Sequence, residues 1–349
     1  MVRANLAAGY LALAAIGFSA EPVAGKFTCG TCHRAEAQTQ PKTAMGIGME
    51  LAPHQTVLQA HPKLTLERKG YTYTIERNGD QSTYTISDAT GKFTLPIRYA
   101  FGVRTQTFVL EYQGRFYESM VSYYANTGGL GATVGDGKIE PHNLVEAMGR
   151  ETPDTEINAC FGCHSSDALT NGKLTLDSIQ PGLSCEHCHA GAKAHMEGLE
   201  AGKPAPLPKK LDRLNAEQMS QFCGQCHRTW DDIVKLRQFG EVNIRFQPYR
   251  LANSRCFVGD DPRIRCTACH NPHADPVRES APYDHNCLAC HSQGAPPVAG
   301  EGVPPAKTCP VAQEKCSSCH MPKMKLPAGP MMFSDHQIRI VHPGDPYPN

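Results

Sequence analysis

The pentapeptide Cys-x-x-Cys-His occurs seven times in this chain of 349 residues. Two cysteines three positions apart on one turn of helix reach the two vinyl groups of one porphyrin, where each forms a thioether. The histidine that follows then binds the iron as its proximal axial ligand. The pattern therefore predicts seven covalently attached haem c groups, each with its iron. The attachment cysteines are Cys29 and Cys32, Cys160 and Cys163, Cys185 and Cys188, Cys223 and Cys226, Cys266 and Cys269, Cys287 and Cys290, and Cys316 and Cys319; the proximal histidines are His33, His164, His189, His227, His270, His291 and His320.

Structural zinc is the main alternative to haem at these motifs. Paired Cys-x-x-Cys motifs build zinc ribbons, but a ribbon has no use for a histidine directly after every second cysteine. That histidine is present in all seven motifs here, which favours haem. A thioredoxin-like role is weaker still, because seven vicinal dithiols on one chain have no evident common scaffold.

Nine of the 16 histidines remain after the seven proximal ones. Seven irons with two axial ligands each need seven of these nine, which favours distal ligation and six-coordinate, low-spin haem. His187 lies inside an attachment motif and His285 lies next to one, so both are poorly placed. For any one histidine an ordinary surface position is the alternative, and Met45 is an alternative sulfur ligand for the first haem. The expected distal ligands are His54, His61, His142, His195, His273, His336 and His342.

Three of these distal candidates lie in informative local sequences. His273 follows the proximal His270 by three positions, and His195 also closely follows a proximal histidine, so each can point away from its own haem and bind a neighbouring iron. His336 is preceded by Asp335, a carboxylate that we expect to orient one of its ring nitrogens.

The N-terminus has the pattern of a secretory signal. A short positive segment (1–3) precedes an apolar run (6–18), and Ser19-Ala20 offer a cleavage site. A membrane anchor is the alternative, but the run is short for a transmembrane helix, and no cysteine follows it that would carry a lipid. We therefore expect a signal peptide at 1–20, no transmembrane anchor after its cleavage, and export to the periplasm or the cell surface.

Two cysteines, Cys256 and Cys309, lie outside the motifs. Disulfides persist in exported proteins, so an even remainder predicts a disulfide between these two residues. The alternative is that one of them is an exposed reactive thiol.

The composition offers little material for an apolar protein core. Aromatic residues make up 7% of the chain, with a single tryptophan, and there are 31 glycines and 27 prolines. Porphyrins would supply the missing apolar surface. The polypeptide has 34 basic and 34 acidic residues, but ionised propionates would bring the loaded protein to roughly −7 to −14. Some Arg and Lys side chains should therefore pair with propionates, and nothing supports nucleic-acid binding.

A β unit is predicted between the first two motifs. Alternating apolar and polar residues at 71–76, 82–87, 93–99, 107–112 and 115–123 predict an antiparallel meander of five or six strands, and Asn78-Gly79 predicts a hairpin turn. The unit is either a docking or shielding module or a spacer that covers one haem. The predicted α+β organisation is a signal peptide (1–20), an N-terminal segment with the first motif (21–62), the β unit (63–126), and a six-haem domain of short helices and loops wrapped around haems (127–349).

Several segments resemble a known family. GLSCEHCHAGAKAH (182–195) is similar to the G-x-x-C-E-x-C-H-G-P-G-x-x-H signature of the doubled-CXXCH multihaem c-type cytochromes, and CTACHNPH (266–273), CSSCHMPK (316–323) and DHQIRI (335–340) resemble other motifs of that group. The group includes the tetrahaem cytochrome c partner of hydroxylamine oxidoreductase and its uncharacterised relatives. The resemblance covers 150–340 and departs at 190–192, where the group has Gly-Pro-Gly. It implies electron transfer, with His195, His273 and His336 at positions that supply distal ligands.

Two functions compete at this point. In the first, closely spaced six-coordinate haems carry electrons between a donor and an acceptor protein. In the second, the chain is an oxidoreductase that acts on a small nitrogen or sulfur species at one five-coordinate haem. Enzymes of this superfamily mark that haem with an unusual attachment motif or a tyrosine cross-link, whereas all seven motifs here are ordinary, which favours the carrier. A subunit of a haem filament or cell-surface complex is a third, weaker alternative.

The seven motifs predict the mass of the mature protein. Each attached haem adds about 616 Da, so mass spectrometry of the denatured protein should give the polypeptide without its signal peptide plus seven haems. A pyridine haemochrome assay that returned four or five haems per chain would contradict this expectation.

Overall fold

A computed structural model describes residues 28–237, 239–293, 306–326, 329–342 and 344–347. The predicted signal peptide lies outside these residues. Within them, long antiparallel strands occupy the N-terminal half and short helices joined by loops occupy the rest. None of the helices in the described part of the chain is long and apolar enough to cross a bilayer.

Ten strands make up the β unit. Apolar side chains alternate along the longer strands, as expected where one face of a sheet is buried. The strands are β1 (Met49–Leu51), β2 (Lys63–Arg68), β3 (Tyr71–Asn78), β4 (Gln81–Ser87), β5 (Lys92–Pro96), β6 (Tyr99–Phe101), β7 (Thr105–Tyr112), β8 (Arg115–Tyr124), β9 (Gly129–Ala132) and β10 (Gly149–Glu151).

The strands divide between two sheets, whereas the sequence predicted one meander. Strands β2 to β5 form a four-stranded antiparallel meander, and the other six form a second sheet in the order β1-β6-β7-β8-β10, with β9 also paired to β8. The predicted run 93–99 is broken at Ile97 and Arg98, where the chain passes from the first sheet to the second. The predicted turn is present: Asn78 pairs with Gln81, and Gly79 has a φ of +58°.

The β unit also extends beyond 63–126 on both sides. Strand β1 precedes it, and β9 and β10 follow it. The Gly-rich segment 127–137, which the sequence assigned to the following domain, contributes β9 to the second sheet. The segment that carries the first motif and the β unit are therefore joined through β1, which pairs with β6.

The apolar core lies almost entirely in this unit. Its largest cluster contains 17 buried residues, among them Tyr73, Tyr84 and Phe108. A second cluster packs β1 and β6 against the helix Asp154–His164 through Phe161, which is fully buried. Beyond that helix, the described residues form one further cluster of three buried residues, Ile233, Phe246 and Tyr249.

The helices are short, and most of them lie at or beside the cysteine motifs. The helix Ala216–His227 begins with a capping box in which the side chains of Asn215 and Gln218 each accept from the other's backbone N–H. The helices span Cys29–Cys32, Arg34–Thr39, Ala44–Ile47, Thr56–Ala60, Leu144–Met148, Asp154–His164, Cys185–Cys188, Ala192–Glu200, Ala216–His227, Trp230–Leu236, Gln247–Ala252, Cys266–Cys269, Asp284–His291 and Cys316–His320.

Asp136 is a buried carboxylate at the edge of the β unit. Burial and the neighbouring Glu118 raise its pKa to about 7 from 3.8, while Arg150 and Arg68 oppose the rise. Because the folded-state pKa is the higher one, the folded protein keeps this proton over a pH range in which the unfolded chain has lost it. The contribution of Asp136 to stability therefore falls as the pH rises from about 4 to about 7, and then stays constant.

Replacing Asp136 should remove this pH dependence. We expect Asp136→Asn and the wild type to have similar melting temperatures near about pH 4, and the variant to melt higher at about pH 8. Thermal unfolding followed by circular dichroism at both pH values measures the difference. Glu140→Gln is the control, because the Glu140 carboxylate in the same region is exposed and lies 2.6 Å from the Lys69 ammonium. A melting difference for Asp136→Asn that does not change with pH would contradict the assignment.

Candidate functional site

All seven cysteine motifs lie on helical turns. Each Cys-x-x-Cys pair falls within one of the helices, so both thiols project from a single turn. The backbone closes that turn at the histidine: the N–H of His33 donates to the Cys29 carbonyl at 2.8 Å, and the N–H of His270 donates to that of Cys266 at 2.9 Å. This is the local geometry that attachment of one porphyrin by two thioethers and one imidazole requires.

The β unit holds the second motif. The ring of Phe101 on β6 meets the ring of His164 edge-on, with centroids 5.4 Å apart. The Nδ1 of His164 lies 2.9 Å from the carbonyl oxygen of Gly48, just before β1. Burial lowers the pKa of His164, so the ring is neutral and Nδ1–H is the donor. The iron-binding nitrogen, Nε2, is then left with its lone pair.

Two glycines allow the N-terminal segment to approach the second and third motifs. A Cβ on Gly48 would lie 2.8 Å from the carbonyl oxygen of His164, and one on Gly182 would lie 1.7 Å from that of Gly46. Both glycines have positive φ, +37° and +74°. The Leu183 N–H donates to the Met45 carbonyl beside this contact. The first motif is thereby held next to the third.

Thiols of different motifs contact one another in space. Hydrogen bonds between thiols join Cys29 to Cys185, Cys163 to Cys226, Cys223 to Cys266, and Cys287 to Cys316. The third motif also lies beside the fourth, because Cys188 raises the pKa of Cys223 and of Cys226. The fifth lies beside the sixth through the effect of Cys269 on Cys287.

These contacts connect all seven motifs into one cluster. Numbered along the chain, the motifs neighbour one another in space in the order first, third, fourth, fifth, sixth and seventh, and the second motif branches from the fourth. Because each motif marks one edge of a porphyrin, the porphyrins of adjoining motifs would be neighbours as well. The arrangement fits a continuous group of haems rather than isolated sites.

The rings of His189 and His273 are nearly parallel, and their separation is the one expected for two axial ligands of one iron. Their centroids are 6.0 Å apart and their planes differ by 9°. Iron–imidazole bonds of roughly 2 Å on both faces of one porphyrin put the two ring centres about 6 Å apart. The structure therefore brings the predicted distal ligand His273 to the proximal histidine of the third motif, as expected for a ligand donated to a neighbouring haem.

His270 and His336 form a second pair of this kind. Their ring centroids are 6.1 Å apart, with an interplanar angle of 42°. Burial lowers the pKa of His336 to about 4, and its Nδ1 lies 3.0 Å from the Ser334 carbonyl oxygen. The neutral ring thus donates from Nδ1 and presents Nε2, the nitrogen that binds iron when the other one is hydrogen-bonded.

Backbone carbonyls orient three more histidines in the same way. The Nδ1 atoms of His195, His291 and His320 lie 3.0, 2.9 and 2.8 Å from the carbonyl oxygens of Pro206, Lys307 and Arg339. Two of these are proximal histidines, and His195 is a predicted distal ligand. Such outer contacts fix the tautomer and the direction of a metal-binding imidazole.

Asp335 has a different role from the one predicted for it. It does not bond the His336 ring; it forms a fully buried, bidentate pair with Arg250, at 2.8 and 3.0 Å. Burial alone would raise the pKa of Asp335, but hydrogen bonds from Arg250, Gln337 and Arg339 bring it below its usual value. Arg250 lies on the helix Gln247–Ala252, so the pair ties the His336 loop to that helix.

A second contact reinforces this connection. Ser254 Oγ donates to the His336 carbonyl oxygen at 3.1 Å and accepts from the Ile338 N–H at 2.8 Å. Arg250 and Ser254 are the residues of this site that sequence reasoning missed. A buried arginine has no local sequence pattern that would have singled it out.

The remaining predicted distal ligands lie apart from these pairs. His61 Nε2 lies 3.0 Å from the Tyr123 hydroxyl at the β unit, so its metal-binding nitrogen is already hydrogen-bonded. His54, His142 and His342 are exposed. The two histidines judged poorly placed, His187 and His285, are exposed as well.

The predicted disulfide between Cys256 and Cys309 is not formed. Cys256 lies in a dense region near Cys290, and burial raises its pKa. Cys309 instead accepts hydrogen bonds from the N–H groups of Ala312 and Val311, which lower its pKa. An even number of leftover cysteines does not bring two thiols together when each is held by its own surroundings.

The donor set fits haem. Seven helical Cys-x-x-Cys turns are clustered. The two pairs of imidazoles have the centroid separation that two axial ligands of one iron require. The surrounding chain has few buried apolar side chains of its own. In the described ranges, no three His, Cys, Asp or Glu side chains converge on one point as a metal site. Haem iron needs only two side-chain ligands, because the porphyrin supplies four nitrogens.

Comparison with known proteins adds no relative. No protein-family model matches the chain, and neither the curated proteins nor the solved structures include a match.

Neutralising Asp335 should open one iron site. Asp335→Asn leaves Arg250 buried without its charge partner, and loss of one partner of a buried pair costs about 3–5 kcal/mol. Movement of the His336 loop would relieve this energy. We expect the variant to keep seven haems by mass but to show a high-spin EPR signal from about one haem, like His336→Ala.

Glu151→Gln is the matched control for this variant. It neutralises the carboxylate of the exposed Arg115–Glu151 pair, which is 2.8 Å long. Its EPR spectrum should equal that of the wild type. An Asp335→Asn protein with seven haems and a fully low-spin spectrum would contradict the role assigned to the buried pair.

Proposed function

We propose that this chain is an exported c-type cytochrome with seven haems that carries electrons between redox proteins. The seven attachment motifs are the basis of the proposal, and the contacts among their thiols carry it further. Electron transfer between haems needs short separations, and a single connected cluster of attachment sites is the arrangement that supplies them.

The paired histidines favour transfer over catalysis on a bound substrate. His189 with His273, and His270 with His336, stand at the separation that two axial ligands of one iron require. When bound, the haem supplies the change of oxidation state. The protein's part is to hold both imidazoles correctly directed, so that little rearrangement accompanies the gain or loss of an electron.

The second motif gives the proposed cluster a side branch. It neighbours the fourth motif through Cys163 and Cys226 and is held against the β unit by Phe101 and Gly48. The fourth motif thus has three neighbours. We infer that electrons reaching the haem of the fourth motif have more than one onward route.

Export completes the proposal. The N-terminal pattern of a secretory signal supports a location in the periplasm or at the cell surface, where c-type haem is attached in bacteria. Its partners there are an electron donor and an electron acceptor protein.

Coordination tests the carrier against the enzyme. We expect EPR of the oxidised protein to show low-spin signals from at least six haems, because two-histidine ligation leaves the iron no open position. Carbon monoxide added to the reduced protein should then alter the Soret band of at most one haem. Wild-type protein reoxidised by air and re-reduced serves as the control for damage during the titration.

Two results would favour the oxidoreductase instead. One is high-spin signal from two or more haems. The other is rapid turnover of hydroxylamine or nitrite by the reduced protein.

A further inference from the structure

Two arginines share one aromatic ring between the second and fourth motifs. The guanidinium carbons of Arg228 and Arg245 lie 4.8 and 4.9 Å from the centroid of the Phe246 ring. Phe246 is buried and belongs to the small cluster with Ile233 and Tyr249. Cation–π contacts of this kind fix the position of a guanidinium.

The two cations repel each other in a buried setting. Burial lowers the pKa of Arg245, and the charge of Arg228 lowers it further. The charge of Glu118 opposes this lowering, but a carboxylate oxygen of Glu118 already bonds Arg150 at 2.6 Å. The Nε of Arg245 is buried without a hydrogen-bond partner. A buried cationic donor in this state is destabilising unless an anion completes it.

The backbone of Arg228 has an unfavourable conformation. Arg228 follows the proximal His227 directly and has φ +57° and ψ 129°, a conformation that a residue with a Cβ rarely adopts. Strain of this kind persists where surrounding contacts require a particular direction of the side chain. Here the direction brings the guanidinium over Phe246 and toward Arg245.

Arg228 and Arg245 lie between the second and fourth motifs. The charge of Arg228 acts on Cys163 of the second motif and on Glu156 of the same helix. His227 belongs to the fourth motif, and the thiols of these two motifs are in contact. The two arginines therefore lie where the porphyrins of the second and fourth motifs would adjoin.

We propose that Arg228 and Arg245 form a binding site for a carboxylate, and that its occupant is a propionate of one of the two haems attached at Cys160 and Cys163 or at Cys223 and Cys226. The inference rests on the proposed function. Two planar guanidiniums present N–H donors to both oxygens of a carboxylate. Porphyrin propionates are the carboxylates that these two motifs would bring to this place. A dissolved oxyanion has the same recognition chemistry and is the other source to be tested.

The arginine charges should set the reduction potential of one haem. A reduced haem carries one more negative charge than an oxidised one, so a nearby buried cation stabilises the reduced form. Arg245→Gln and Arg228→Gln, each loaded with haem, should shift one of the seven haems to lower potential in a spectroelectrochemical titration. Arg245→Lys keeps the charge and should restore most of the wild-type potential. Arg98→Gln is the control, because its pair with Glu111 is exposed in the β unit.

Haem content and added phosphate separate the outcomes. The haems of the wild type and of each variant are first counted by mass spectrometry. Fewer than seven haems in the wild type would refute the proposed function but not the arginine site. Titration curves that equal the wild type in both Gln variants would overturn the site. If inorganic phosphate shifts one wild-type potential in a saturable way and the Gln variants lose that response, a dissolved oxyanion occupies the site and the propionate assignment is overturned.

Discussion

The second half of the described chain depends on something other than apolar side chains to hold its short helices together. Helices of four to twelve residues are at most marginally stable alone in water, and the described residues beyond 182 contain one buried apolar cluster of three side chains. The β unit has 17 buried residues in its main cluster and needs no such help. Under the proposed function, seven porphyrins fastened by thioethers supply the apolar surface. Covalent attachment would then determine the fold of this half as well as its chemistry.

Buried polar contacts hold segments of this half of the chain that few apolar side chains pack against. The buried pair of Arg250 and Asp335 lies at zero side-chain exposure and joins two segments 85 residues apart in sequence. Backbone carbonyls orient His164, His195 and His336 in the same manner. A carbonyl is a neutral acceptor, so it fixes the direction of a ring without adding charge beside the proposed iron. The charged pair of Arg250 and Asp335 does not contact the proposed iron ligand directly; it holds the loop that carries His336.

Local sequence patterns predicted the local features of this molecule. The helical turn at each motif and the hairpin at Asn78-Gly79 each depend on residues within five positions of one another. The division into two sheets at Ile97 and the bond between His61 and Tyr123 depend on distant segments. So does the absence of a bond between Cys256 and Cys309. Counting leftover residues gave the number of candidates, but not which ones meet.

Under the proposed function, the order of the motifs in space makes their order along the chain a poor guide to the route of the electrons. The first motif lies against the third because Gly182 and Gly48 admit the N-terminal segment at that point. The second is separated from the first by the β unit and is held by that unit near the fourth. An insertion of strands between two motifs thus changes which proposed haems are neighbours. The β unit is then more than a spacer that covers one haem, because its packing against the helix Asp154–His164 creates the branch.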